Sequence, residues 1–345
     1  MKILILGAFD KGALEHYYVA GLQRCNAEIE SFDITRDYYS AIGKSVFTKA
    51  INKVNPGLFF DGINKKLLQY AGDKMFDIIL VFKGLTLYPG TIEFLKTKTR
   101  IICCYNPDHP FHFYSPGSGN SNIKKSISLY DLYFSYASSV VKELKKEYGV
   151  HSFRIPFGFD STNNALPLPA ENLFAGKWLF AGAYDAERAA ILGCAGSQDL
   201  TIYGDKKWHS RSRGNTFIQQ LYAGRGLYDQ EYKSAIHASL GVINLLREQN
   251  IKEQSHNMRT FEVPGYHGLL ISNRTEEQSS FFEEDKEAVY FETTDELKDK
   301  LAYLHKNPSI TNKIKEAAFS RALSSGYSYT DRSREMYTVF ENHLS

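Results

Sequence analysis

Apolar residues along this 345-residue chain recur in two patterns: short uninterrupted runs, and the three-and-four spacing of amphipathic helices. The first run, 2–6 (KILIL), is followed at once by Gly7 and then by a helix-like stretch at 13–23. A second run at 27–32 completes a strand–helix–strand opening. Runs at 77–82, 100–104, 132–135 and 151–155 predict further strands, with helices at 64–71, 90–96 and 138–148 between them. Short unbroken runs suit strands covered on both faces, and strands alternating with helices argue for a parallel, doubly wound sheet. The stretch 38–62 gives no clear element; it interleaves Lys44, Lys49 and Lys53 with apolar residues.

Periodicity lapses at 160–177 (DSTNNALPLPAENLFAGK), where two prolines and small polar residues read as a linker. It then restarts. Strands are predicted at 178–181, 200–203, 240–245, 268–272 and 288–291. Helices are predicted at 185–193, 231–238, 258–263 (stopped near Pro264), 294–306 and 309–323. A terminal helix at 330–344 spaces Met336, Tyr337 and Phe340 for one face. Two α/β units therefore follow one another, each opening strand–Gly–helix. Ligands of such sheets bind outside the carboxyl ends of the strands, so two facing sheets would enclose a cleft.

Composition changes this picture little. Hydrophobic residues at 43% and charged residues at 23% are ordinary for a globular protein. The 14% aromatic content leaves rings for ligand stacking, or simply fills the cores. A net charge of +2, from 41 basic and 39 acidic residues, argues against a nucleic-acid partner. The four cysteines form no CxxC pair or disulfide-like framework, which suits a reducing, cytoplasmic compartment. The first residues do not read as a signal peptide, and no run approaches the ~18 apolar residues of a membrane span. The lysines at 44, 49, 53, 65 and 66, with Phe47, Leu58, Phe59 and Phe60, leave two alternatives. One is peripheral contact with anionic lipid at the inner membrane surface. The other is a solvated helix with its apolar face in the core, interrupted by Pro56 and Gly57.

Candidate chemistry lies where strands end. In Gly182-Ala-Tyr184-Asp-Ala-Glu-Arg188 the glycine lets the backbone turn and Arg188 enters the next helix. That arrangement suits a diphosphate, unless Arg188 pairs with Asp185 or Glu187. Tyr203-Gly204-Asp-Lys206-Lys207 offers a close backbone approach and a phosphate-binding lysine, or an ordinary polar turn. The strongest element is Ser255-His-Asn257-Met-Arg259-Thr260-Phe-Glu262. Ser255 or Asn257 can cap a short helix, Arg259 and Thr260 can meet phosphate, and Glu262 can take both hydroxyls of a ribose. The alternative is an Arg259–Glu262 pair at i, i+3. In Tyr105-Asn106-Pro-Asp108-His109-Pro110, Asp108 or His109 can act as general base on an acceptor hydroxyl, or Asp108 can cap a rigid turn. Gly7–Gly12 with Glu15 and His16 lacks the dinucleotide and Walker spacings; it can still line the acceptor side. No metal site is expected: His109 and His112 are separated by Pro110, and no paired carboxylates stand at a strand end.

The run 256–291 (HNMRTFEVPGYHGLLISNRTEEQSSFFEEDKEAVYF) resembles the C-terminal signature of CgeB-like (spore maturation protein) glycosyltransferases. Asn257, Arg259, Thr260, Phe261, Glu262, Pro264 and Gly268 stand at the signature places. The strand–Gly–Arg element at 179–188 and the loop at 106–110 are also similar to that family. The resemblance implies a GT-B fold: two facing Rossmann-like domains, with a last helix crossing back to the first. On this basis the chain divides into an acceptor-side domain at 1–160, a linker at 161–176, a nucleotide-sugar domain at 177–328 and a crossing helix at 329–345. It implies a nucleotide-diphosphate sugar as donor substrate and no separate cofactor, with Glu262 on the ribose and Arg188 and Arg259 on the diphosphate. Gly182, Tyr184, Gly204, Lys206, Asn257 and Thr260 complete the expected donor site. The acceptor, whether glycan, lipid-linked or protein, is left open. In one departure, the place eight residues before Glu262, the first glutamate of the E-x7-E motif of many retaining GT-B enzymes, is held by Gln254, with Glu253 one residue off. Two alternatives stay open: a sugar-nucleotide epimerase on the same frame, and a binding protein that kept the fold without transfer.

Overall fold

A computed structural model describes residues 1–113, 118–162, 173–196 and 199–345. The chain divides into two units, Met1–Pro156 with Tyr329–Ser345, and Phe157–Ser328.

The first unit holds β1 (Lys2–Gly7), β2 (Glu28–Asp33), β3 (Phe76–Phe82), β4 (Thr99–Asn106), β5 (Leu132–Ser135) and β6 (His151–Arg154). They form one parallel sheet in the order β2-β1-β3-β4-β5-β6. Ile3, Leu4, Ile5 and Leu6 of β1 and Ile78, Ile79, Leu80 and Val81 of β3 have no exposed surface. These strands are covered on both faces, which is why their sequences run apolar without alternation. Each such side chain contributes roughly 1.5–3 kcal/mol. The chain steps from β1 outward to β2 and returns to β3 on the other side, so the strand order reverses between β1 and β3.

The helix Tyr329–Leu344 belongs to this unit and packs along the helix Leu14–Arg24. Gly21 makes the approach possible: a Cβ there would stand 2.2 Å from Ser333 Oγ. Tyr17 stacks on Tyr329 with ring centroids 4.9 Å apart, and Phe340 lies edge-on to Phe134. Met336 and Phe340 are buried as their spacing predicts, while Tyr337 is half-buried.

The segment that gave no clear element folds as helices Arg36–Gly43 and Val46–Val54, a 3-10 turn Pro56–Phe59 and helix Asp61–Ala71. Ser45 and Thr48 cap the second of these reciprocally, each side chain accepting the other's backbone N–H.

The second unit holds β7 (Trp178–Ala181), β8 (Leu200–Tyr203), β9 (Gly241–Asn244), β10 (Leu270–Asn273) and β11 (Val289–Phe291). All pair in parallel in the order β11-β10-β9-β7-β8, which puts the reversal between β7 and β9. Trp178, Phe180, Leu192, Ile202, Trp208, Ile243 and Ile271 belong to its core. Phe159 is buried against Gly265, where a Cβ would stand 2.3 Å from the ring. Phe159 also pairs with the far end of the unit, through a bridge to Ser328 and an N–H donated to Tyr327 O at 3.2 Å. The chain thus enters and leaves this unit side by side. Asp160 and Lys233, both nearly buried, close a 2.7 Å ion pair beside that entry. Of the linker expected at 161–176, positions 163–172 lie outside the described residues, and Phe174 is buried against Tyr203.

Candidate functional site

The loops after β7 and β9, neighbours where the strand order reverses, carry the second unit's unusual charges. After β7 the chain turns at Gly182, whose N–H donates to Tyr203 O at 2.9 Å and whose carbonyl accepts from Trp208 Nε1 at 2.8 Å. Gly204 meets this turn so closely that a Cβ would stand 2.1 Å from the Gly182 oxygen and 2.6 Å from Trp208 Nε1. The space the sequence reading gave to a ligand at Gly204 is filled by the neighbouring loop. Tyr184 packs edge-on to Trp208 at 5.3 Å. Lys206 is exposed on the loop after β8, the outermost strand on that side.

Asp185 caps the helix Ala186–Ala195, accepting from the N–H groups of Glu187 at 3.0 Å and Arg188 at 3.4 Å. A carboxylate therefore already sits on that helix start, and anion binding there falls to side chains. Arg188 pairs with neither Asp185 nor Glu187. Its guanidinium reaches across the reversal instead: Nη2 donates to Leu245 O, just past β9, at 2.7 Å, and Nη1 to Ala183 O at 3.4 Å. Its Nε is buried with no hydrogen-bond partner. Burial first, then the positive charges of Arg259 and Arg247, lower Arg188 to about 10.

Arg247 is exposed on the loop after β9, and Arg259 opens the helix Arg259–Gly265. Among the described residues, none of these three arginines forms an ion pair with a carboxylate, and the Arg259 Nε is also buried without a partner. Arg259 places its positive charge near the Tyr232 hydroxyl, which donates to Glu262 Oε2 at 3.0 Å. Burial raises the Glu262 carboxyl, opposed by Arg259, Tyr232 and Lys233. The alternative of a direct Arg259–Glu262 pair is not what forms; Tyr232 is the hydrogen-bond partner of Glu262.

Other expected contacts are engaged within the protein. Asn257 and Asn244 exchange amide hydrogen bonds at 2.9 and 3.1 Å, joining the loop to the end of β9. Thr260 is fully buried and donates to Gln278 Oε1 at 2.8 Å. Neither Ser255 nor Asn257 caps the helix by its side chain. Gln254 accepts from Glu276 N at 3.1 Å, so it caps another helix.

In the first unit, Asp108 follows β4 and its Oδ2 accepts from Lys83 Nζ at 2.6 Å. Lys83 directly follows β3 in the left-handed region (φ 62°), followed by Gly84 at φ 73°. A lysine held there costs roughly 1–3 kcal/mol and fixes the ammonium beside the carboxylate. His109 is placed differently. It is buried, its Nδ1 accepts the N–H groups of Phe111 at 3.2 Å and His112 at 3.1 Å, and burial lowers it to about 4. With Nδ1 occupied and the proton therefore on Nε2, the neutral ring braces its own loop and offers no free lone pair to a substrate. Glu15 likewise folds over Gly7, accepting from Ala8 N at 2.8 Å.

His109, His112 and Glu143 bring ligand atoms within 4.8 Å of one another, a proximity Pro110 does not prevent. Lys124, Lys142 and Lys146 line the pocket beside His112 and Glu143, a field that opposes a dication. Sequence reasoning missed Arg247, Tyr232, Asn244 and Lys83. Arg247 alone carried a signal, as a cation three residues past a buried run.

Two Rossmann-like parallel-sheet units are the fold of GT-B glycosyltransferase structures. Sucrose-phosphate synthase from Thermosynechococcus elongatus matches over 99% of this chain and 98% of its own, with a TM-score of 0.66 at 11% identity. HepE from Anabaena, in complex with UDP and glucose, matches over 99% and 100% with a TM-score of 0.63 at 12% identity. MnaA from S. aureus, with UDP, matches over 99% and 96% with a TM-score of 0.62 at 12% identity. By sequence, residues 184–338 match the family model described as "Glycosyl transferase-like". No curated protein matches the chain by sequence. No described helix is long and apolar enough to cross a membrane.

Proposed function

We propose that this chain transfers a glycosyl group from a nucleoside-diphosphate sugar, whose diphosphate is held by Arg188, Arg247 and Arg259. The carrying observation is the gathering of three guanidinium groups, with no carboxylate partner among the described residues, where the strand order of the second sheet reverses. Uncompensated like charges are costly; an incoming diphosphate supplies the missing anion and acceptors for the unpartnered Nε–H groups. Glu262, bonded on one oxygen by Tyr232, accepts from the ribose hydroxyls. Asn257 and Thr260 shape the loop that carries Arg259, and Gly182, Tyr184 and Gly204 build the neighbouring wall.

As the anomeric carbon–oxygen bond breaks, negative charge grows on the departing diphosphate. Fixed guanidinium groups stabilise it more than the ground state. On this reading no divalent metal is required. The acceptor hydroxyl attacks the anomeric carbon and gives up its proton; Asp108, held by Lys83, is the candidate base. Uridine is the first base to test, because the HepE and MnaA structures contain UDP. The narrower CgeB-like assignment rests on the residues at 257–268. Four free cysteines support a reducing, cytoplasmic compartment.

The test is calorimetry of the full chain with UDP, GDP, CDP and dTDP, beside Arg259→Ala and Glu262→Gln, followed by turnover of the sugar nucleotide that binds. Selective binding lost at least tenfold in both variants, with acceptor-dependent turnover, supports the reading. A rearranged sugar nucleotide without acceptor supports epimerisation instead. Folded protein that binds none of the four nucleotides overturns the donor site.

A further inference from the structure

The helix Val46–Val54 turns its apolar side chains outward. Val46 is 84% exposed, Phe47 73%, Val54 88% and, on the turn that follows, Leu58 62%. At 100° per residue, positions 46, 47, 50 and 54 fall within about 100° of arc on one face. Thr48 and Asn52, on the opposite face, and Ile51, at the edge of the apolar arc, are the half-buried ones, and Asn52 bonds the Tyr38 hydroxyl at 3.1 Å. The helix is therefore anchored by its more polar side and presents its apolar side to solvent, the reverse of a core helix. Its reciprocal Ser45–Thr48 cap marks a formed helix rather than a frayed end.

Charge identifies what covers it. Positions 36–66 carry six basic residues (Arg36, Lys44, Lys49, Lys53, Lys65, Lys66) against Asp37 and Asp61, a net of +4 where the whole chain carries +2. Lys66 is paired with Asp37 at 2.6 Å and Arg36 with Asp33 at 3.5 Å. Lys44, Lys49 and Lys65 have no carboxylate partner among the described residues. A second copy of the chain would set this positive patch against itself, whereas an apolar layer under a negative surface matches both features. We propose that the first unit docks on an anionic lipid surface through helix Val46–Val54 and the turn to Leu58. Phe47, Val46 and Val54 enter the headgroup–acyl boundary, and Lys44 and Lys49 meet the lipid phosphates. This stands apart from the nucleotide reading and needs none of the second unit's residues.

The test is co-sedimentation of the full chain with phosphatidylcholine vesicles and with vesicles containing about 30% phosphatidylglycerol, without nucleotide. The protein pellets with the anionic vesicles, stays in solution with the neutral ones, and is released by salt. Lys44→Gln with Lys49→Gln weakens partition about thirtyfold, at ~1 kcal/mol per charge near the surface. Phe47→Ser with Val54→Ser weakens it more than about tenfold while leaving the melting temperature unchanged, since both side chains are exposed. Wild-type protein remaining in the supernatant, or either variant pelleting like wild type, overturns the proposal. So does a vesicle-free dimer in analytical ultracentrifugation that Phe47→Ser with Val54→Ser abolishes, because the face is then a contact between copies.

Discussion

Replacing Arg188 with methionine should leave the ligand-free protein as stable as wild type or more so, and abolish its response to nucleotide. The lowering of Arg188 from 12.5 to about 10 amounts to roughly 3 kcal/mol set against its charged form in the folded protein. Arginine stays charged at neutral pH, so this penalty is always present, and a neutral side chain of similar length removes it. Against that, Leu245 O loses its 2.7 Å donor, which costs about 1–3 kcal/mol for a buried carbonyl. The balance runs from about zero to 2 kcal/mol in favour of the variant, or 0 to ~6 °C in melting temperature for a unit of this size. Differential scanning calorimetry reads it directly. In the same experiment UDP at a hundredfold excess over its half-saturation stabilises wild type by about 2.7 kcal/mol and the variant hardly at all. A ligand-free loss above ~2 kcal/mol would show that Arg188 is a structural cation whose charge is already compensated. An undiminished UDP response in a folded variant would remove it from the donor site.

Three further outcomes follow from the geometry. Gly204→Ala should destabilise by about 3 kcal/mol, seen as a lower melting temperature, because its Cβ meets the Gly182 backbone oxygen at 2.1 Å and neither loop can yield cheaply. His109 is lowered from 6.5 to about 4, so the unfolded chain binds its proton first as pH falls; wild type loses up to about 3 kcal/mol between pH 6.5 and 4, and His109→Gln flattens that limb of a pH-dependent urea titration. Glu262 is raised above its ordinary 4.5, so nucleotide affinity should fall on acidification at a pH above that value, and calorimetry of Glu262→Gln across pH 5–8 should show weak binding without the slope.

Most strands were legible because parallel strands buried on both faces leave an unbroken apolar signature, as at Ile3–Leu6 and Ile78–Val81. The segment 38–62 was not legible because its helix Val46–Val54 keeps apolar residues outside, and periodicity alone does not say which face is covered. Arg188 could be singled out because it follows a strand–Gly turn, and Arg259 and Glu262 because they belong to a polar cluster that opens a short helix. Arg247 carries the weaker signal of a cation three residues past β9; its meaning depends on β9 lying beside β7, and strand order is a tertiary fact. Gly204 and Thr260 show the converse: a glycine and a hydroxyl in ligand-like positions whose partners are Gly182 and Gln278, far or near along the chain but invisible to spacing. His109 followed the same logic, its acceptor nitrogen turned to the backbone of its own loop.

The side-by-side entry and exit of the second unit, with Gly21 receiving Ser333 beyond it, has a consequence for synthesis. The first unit's core includes Met336 and Phe340, yet the second unit is made in between. At 5–20 residues per second, the nascent first unit waits roughly 10–35 s for the helix that closes it, while the unit made later can finish without waiting. A released chain truncated after Ser328 should therefore carry a folded second unit and an open first one. A chaperone that shields exposed apolar surface would find its binding site on the older half of the polypeptide.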